Sequence, residues 1–222
     1  MQMIGPNATY SLLLSTTESS RNTFFHGACI YLPELEELYT TSGLLQPATS
    51  AQQPVILISK MDIATRHPES DAIQSLSWQK LRSPPSMPMP SGGIAYRDGV
   101  LFCSQGTASP GTGGLFHMPH RRAPEPVVTN FFGRDFNSIC NVVEGKDGLW
   151  FTDPHNGFEM AIRPRPQLPA HVYLYNPETG QLRVVADGLE RPYALAISHN
   201  QKTMYISDGD PLQTGAAAQR TR

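Results

Sequence analysis

Leu149-Trp150-Phe151-Thr152-Asp153 decides the fold, because the chain repeats its pattern three more times. The other copies are Leu38-Tyr-Thr-Thr-Ser42, Leu101-Phe-Cys-Ser-Gln105 and Met204-Tyr-Ile-Ser-Asp208. Each has Leu or Met first, an aromatic second (Tyr39, Phe102, Trp150, Tyr205), a hydroxyl fourth (Thr41, Ser104, Thr152, Ser207) and a polar residue fifth. Segments of this kind suit strands that pack an aromatic on one face and end in hydrogen-bonding groups. A turn and another apolar run precede each copy: Ala28–Leu32, Gly93–Tyr96, Asn141–Val143 and Ala194–Ile197. Asp98-Gly99 and Asp147-Gly148 sit between two such runs, a strong hairpin signal. A fifth hairpin, Val172–Tyr175 and Leu182–Val185, closes through Asn176-Pro-Glu-Thr-Gly180.

Working outward, the equivalent positions recur every 48 to 63 residues, the interval expected of four-stranded blades with loop insertions. No segment of ten or more residues keeps a clean helical period. The nearest is 69–82, with Ile73, Leu76 and Leu81, which reads as one short helix or a surface insertion. The reading is all-β: a β-propeller with about four blades present. An N-terminal extension, 1–22, is expected to be flexible, blades to fill 23–208, and a tail without strand character to occupy 209–222. Ending after four repeats also leaves a fragment as one reading of the chain.

Composition narrows the function classes. A formal charge of −2 with 16% charged residues, and no basic cluster beyond His120-Arg121-Arg122, gives no nucleic-acid footprint. No apolar run approaches membrane-spanning length, and Met1–Ser20 lacks a basic start, so a cytoplasmic protein is the default expectation. Nothing points to a protein partner. Cys29, Cys103 and Cys140 are odd in number and far apart, and read as strand-borne, mostly buried thiols. His117-Met-Pro-His120 has ligand-like spacing, but Pro119 breaks the helix that would align the two imidazoles. Gly106-Thr-Ala-Ser-Pro-Gly111 is out of register for a serine nucleophile elbow. Arg163-Pro-Arg-Pro-Gln-Leu-Pro169 reads as an inter-strand loop in preference to a polyproline ligand.

Phe136-Asn-Ser-Ile-Cys-Asn-Val-Val143 followed by Asp147-Gly-Leu-Trp-Phe-Thr-Asp-Pro154 resembles a block found in the SMP-30/gluconolactonase/LRE-like family. Val172-Tyr173, Val185-Ala-Asp-Gly188, Arg191-Pro192 and Tyr205–Asp208 follow in family order. His26-Gly-Ala-Cys-Ile-Tyr31, Gly92-Gly93 and Val100–Gly106 resemble its fungal lactonohydrolase branch. The resemblance implies a six-bladed propeller that hydrolyses small sugar or aldonate lactones. It also implies a divalent cation, Ca2+ or Zn2+, to polarise the carbonyl and activate water. Family ligand positions fall on Gly27, Cys140 and Tyr193, and a further asparagine position on Ser91. A one-residue shift in the shortened turn makes Asn141 the metal candidate. Asp153 and His155 are the catalytic candidates, with turn-capping and a solvated loop as the plainer alternatives. His26, Asn137 and Asp208 are candidate substrate contacts. A lactonase, a catalytically silent binding propeller and a truncated product are the three functional expectations.

Overall fold

The computed structural model describes residues 12, 14–16, 18, 20–46, 53–66 and 73–209. Most of the expected N-terminal extension, and the tail beyond residue 209, lie outside the described residues.

Three four-stranded antiparallel sheets follow one another along the chain, each in simple sequence order. The first comprises β1 (Cys29–Leu32), β2 (Glu37–Thr41), β3 (Leu57–Arg66) and β4 (Ile73–Arg82). The second comprises β5 (Pro90–Tyr96), β6 (Gly99–Ser104), β7 (Gly114–Pro119) and β8 (Glu125–Val128). A small hairpin, β9 (Asn130–Phe131) and β10 (Arg134–Asp135), leads to the third sheet. That sheet comprises β11 (Val142–Gly145), β12 (Gly148–Asp153), β13 (His171–Tyr175) and β14 (Leu182–Ala186). A two-stranded sheet follows, β15 (Pro192–Ile197) and β16 (Met204–Asp208). The first strands β1, β5, β11 and β15 pack side by side around a common centre, which is a propeller arrangement.

All four copies of the repeat are the second strand of their sheet: β2, β6, β12 and β16. The hydroxyl at the fourth position makes the same pair of bonds in two of the copies. Thr41 Oγ1 accepts the Ala28 N–H at 2.8 Å and donates to Ser91 O of the next sheet at 2.7 Å. Thr152 Oγ1 does the same one blade pair later, accepting the Asn141 N–H at 3.2 Å and donating to Tyr193 O at 3.3 Å. These two hydroxyls therefore each satisfy a donor at the head of their own blade's first strand and clasp the first strand of the neighbour, whereas Ser104 Oγ donates to Thr112 O at 2.7 Å and to Pro88 O instead.

The core lies between the blades. β6 is buried along its whole length because both its faces are covered. Val100 and Phe102 enter a cluster with Ile30, Tyr39 and Ile58 of the first sheet. Leu101 and Cys103 point the opposite way, into a cluster with Phe136, Phe151 and Tyr173. Period-two alternation in a strand covered on both sides produces that division. In the second cluster Phe136 meets Phe151 and Tyr173 edge-on at 5.3 and 5.2 Å, and Phe151 stacks on Tyr173 at 5.4 Å. Each such fully buried ring contributes about 1.5–3 kcal/mol through area removed from water. The Asp147-Gly148 turn closes as expected: Gly148 has φ +132°, and a Cβ there would lie 2.3 Å from Tyr175 O.

Two expectations are corrected. The stretch read as a short helix or insertion is instead β4, paired along its length with β3, and 67–72 lie outside the described residues. Its indole explains the irregular apolar spacing: Trp78 packs against Phe24 and Phe25 at centroid distances of 5.6 and 5.3 Å. The cysteines are mostly buried as expected, but one of them, Cys140, is not strand-borne. Cys29 is exposed on β1, Cys103 is buried on β6, and Cys140 is buried just ahead of β11.

Candidate functional site

The first strands begin around a cavity of about 710 Å3 at the centre of the blades. Gly27, Ser91, Cys140 and Tyr193 all line it, one from each sheet's leading edge. Their equivalence follows from the backbone. Gly27 N donates to Thr41 O at 2.9 Å, and Cys140 N to Thr152 O at 3.2 Å. Ser91 O and Tyr193 O receive the two threonine clasps. A further bond, Gly92 N to Cys140 O at 3.0 Å, ties the second and third blades at the same level.

His26 and Asn141 also line this cavity, so two of the six candidate residues are brought together there. His26 is exposed and held by its N–H on Thr41 O at 2.9 Å. Asn141 is half-buried, and its Oδ1 accepts the Leu195 N–H at 3.1 Å.

The other four lie elsewhere. Asp153 is wholly buried beneath the wall, where its carboxylate accepts the Asn137 N–H at 3.0 Å and the Ser138 N–H at 2.7 Å. Burial pushes its carboxyl up to about 7, against the pull of those two N–H groups and of Arg163. Asn137 sits in the same knot, its Nδ2 reaching Asp153 O and Pro169 O at 3.4 and 3.3 Å. His155 precedes the short helix α1 (Asn156–Glu159), with its Nε2 3.1 Å from Leu168 O. Asp208 is exposed and accepts the Arg191 and Glu190 N–H groups at 2.7 and 3.2 Å, fixing the loop before β15. Asp153 thus holds the Asn137–Ser138 segment in place, and Asp208 the Glu190–Arg191 segment. The two histidines of His117-Met-Pro-His120 part company: His117 lies 3.3 Å from Asp98, and His120 lies 3.5 Å from Glu37.

Sequence reading missed several residues. Thr41 was visible only as one hydroxyl of the repeat. Glu159 and Arg191 belong to loops without a repeat signal, yet they meet as an ion pair on the cavity wall. Arg163 is buried under α1 and donates to the carbonyls of Phe136, Asn137 and Thr107, uniting three segments. Its loop is therefore anchored by its first residue, as an inter-strand loop.

The donor set at the cavity does not match a divalent cation. Among the described residues no three His, Cys, Asp or Glu side chains gather to hold a metal. Burial pushes the Cys140 thiol up to about 12, and it stays protonated, donating to Ser138 O at 3.4 Å and accepting from Asn156 Nδ2 at 3.1 Å. Asn141 Oδ1 is taken by a backbone N–H. At Gly27 the room for a side chain is already filled: a Cβ would lie 2.2 Å from Thr41 Oγ1. Hard cations need several free oxygens and carboxylate charge, and the carboxylate lining this wall among the described residues, Glu159, is already paired with Arg191. What it supplies is neutral hydrogen-bonding groups around one balanced ion pair.

No family model matches the chain. A lactonohydrolase of Aspergillus oryzae is 25% identical over 215 residues, covering 93% of this chain and 44% of the relative. A gluconolactonase of Zymomonas mobilis is 32% identical over 109 residues, 46% of this chain and 30% of the relative. The chain thus spans less than half the length of these curated relatives. A crystal structure of a protein assigned as a gluconolactonase superposes with TM-score 0.55 at 20% identity, over 84% of this chain and 57% of the other. That likeness shows the fold.

Proposed function

Because this chain belongs with the SMP-30/gluconolactonase-like propellers, we propose that its central cavity takes a small hydroxylated lactone and that the protein hydrolyses it. One observation carries the reading. His26, Ser91, Cys140, Asn141 and Tyr193, scattered over 168 positions of sequence, share one cavity of about 710 Å3. That volume lies within the usual range for small-molecule sites, roughly 300–1,000 Å3. Lactone hydrolysis adds water to the ring carbonyl, breaks the acyl–oxygen bond and releases a proton as the product acid ionises. The step needs a group to take the proton from water and donors for the developing oxyanion. On this wall His26 supplies an imidazole, and Tyr193 supplies a donor. If a divalent cation assists, its ligands must include groups beyond those described at the cavity.

A second reading is a binding propeller without turnover. The filled space at Gly27 and the hydrogen-bonded Cys140 thiol favour it. Proton release from γ- and δ-lactones of aldonic acids, followed in a pH-stat with and without calcium, separates the two. Hydrolysis above the buffer rate that His26→Ala lowers by about tenfold or more supports the enzyme. No release under any condition, with lactone still binding, supports the silent module. Neither release nor binding overturns both.

A further inference from the structure

Apart from the His26 imidazole, Glu159 and Arg191 are the ionised side chains that line the cavity among the described residues. They are paired with each other, Glu159 Oε2 with Arg191 Nη2, and both are about one-third exposed. Glu159 ends α1 in the third blade, whereas Arg191 stands just before β15. The pair therefore spans two blades at the mouth.

Neither partner is free to wander. Arg163 N donates to Gly157 O at 2.9 Å, and a Cβ at Gly157 would lie 2.4 Å from Arg163 Cγ, so α1 sits tightly on a buried arginine. The Arg191 backbone N–H is held by Asp208 at 2.7 Å. The Arg191 charge is close enough to act on the Cys140 thiol and the Tyr193 phenol, both of them wall groups. Arg191 Nε is buried without a hydrogen-bond partner.

A hydroxylated lactone is neutral, whereas the acid formed by opening it is an anion at neutral pH. Those two species differ most in how they meet an arginine. An unpaired Arg191 would capture the carboxylate in a charge-assisted bond. With Glu159 in place, the anion must displace one carboxylate and approach its negative charge. Specificity of this kind arises as much from the repelled ligand as from the accepted one.

We propose that Glu159 is a specificity-determining residue which, by occupying Arg191, makes the cavity accept the neutral ring and reject the opened carboxylate. The proposal rests on the lactone reading of the cavity. It also gives a reason for an ion pair at a mouth that otherwise presents neutral groups.

The test is titration calorimetry on the full chain with two probes: the δ-lactam of gluconic acid, a neutral mimic of the ring that resists opening, and sodium gluconate. The wild-type chain binds the lactam, and gluconate at least about tenfold more weakly. Glu159→Gln tightens gluconate by about tenfold or more and leaves the lactam within about threefold. Adding Arg191→Gln to that variant abolishes the gain. Arg191→Gln alone guards against a folding defect in the first variant, because it weakens gluconate further while the lactam still binds. If gluconate affinity does not respond to Glu159→Gln while the lactam binds, the proposal is overturned and the lactone reading stands. If neither probe binds the wild-type chain, the lactone reading falls and takes the proposal with it.

Discussion

Gly27→Ala adds one methyl group to the cavity wall, and the structure predicts that the chain will not tolerate it. The added Cβ would lie 2.2 Å from Thr41 Oγ1 and 3.2 Å from Ser91 O. Thr41 is wholly buried and cannot swing aside without giving up the Ala28 N–H and Ser91 O bonds, at 2.8 and 2.7 Å. Losing buried bonds of this kind costs about 1–3 kcal/mol, and crowding a packed site adds about 1–3 kcal/mol. Restricting the unfolded chain returns about 0.4–1 kcal/mol. The net expectation is a loss of about 2–4 kcal/mol, a large part of the roughly 5–15 kcal/mol typical of a domain. Thr41→Ala removes the obstructing oxygen and loses the clasp, costing about 1–3 kcal/mol by itself. The double variant should then be scarcely worse than Thr41→Ala, giving a coupling close to the whole Gly27→Ala cost, about 2–4 kcal/mol. Urea unfolding of the four chains reads this out as shifts in midpoint at constant slope. Additivity to within about 0.5 kcal/mol would refute the claim that Thr41 fills the side-chain space of residue 27.

Three further outcomes are expected. Arg163→Lys keeps the charge but loses the planar fork that reaches Phe136, Asn137 and Thr107, and should cost about 2–4 kcal/mol in urea unfolding; a cost below about 0.5 kcal/mol would mean the fork is dispensable. Because the folded Asp153 carboxyl lies near 7 and the unfolded one near 3.8, the folded chain holds the extra proton between them. Stability should therefore fall as pH rises from about 4 to 7, by at most on the order of 4 kcal/mol, and Asp153→Asn should flatten that fall; an unchanged slope in the variant would contradict the assignment. Iodoacetamide at pH 8 should label the exposed Cys29 in the native chain, with Cys103 and Cys140 reacting only after denaturation; rapid native labelling of Cys140 would contradict its burial as a neutral thiol.

The blade repeat was legible because its chemistry is local to one strand. An aromatic second and a hydroxyl fourth stand at fixed positions in each copy, and the rings of Tyr39 and Phe102 enter the inter-blade core while Trp150 and Tyr205 stay outside it. What the hydroxyl bonds to was not legible, because Ser91 and Tyr193 belong to the following blade and lie 50 and 41 residues away. β4 was misread for a different reason. Its side chains answer to the Phe24 and Phe25 rings upstream, which the strand's own period does not record. At the cavity, Gly27, Cys140 and Tyr193 stood out only as departures from a resemblance, and their common place on one wall is a property of the ring of blades. Arg191 stood out only within the Arg191-Pro192 match to the family, and Glu159 carried no signal, since the two become a pair only when α1 meets the loop before β15.

The central claim is that the leading ends of all four sheets build one ligand site. Hydrogen–deuterium exchange of the chain, with and without the δ-lactam of gluconic acid, tests it most directly. The account predicts joint protection of peptides covering 26–28, 91–93, 140–141 and 191–195, with little change at the outer strands β4, β8 and β14. Protection confined to one of those segments, or concentrated on the outer strands, would contradict it.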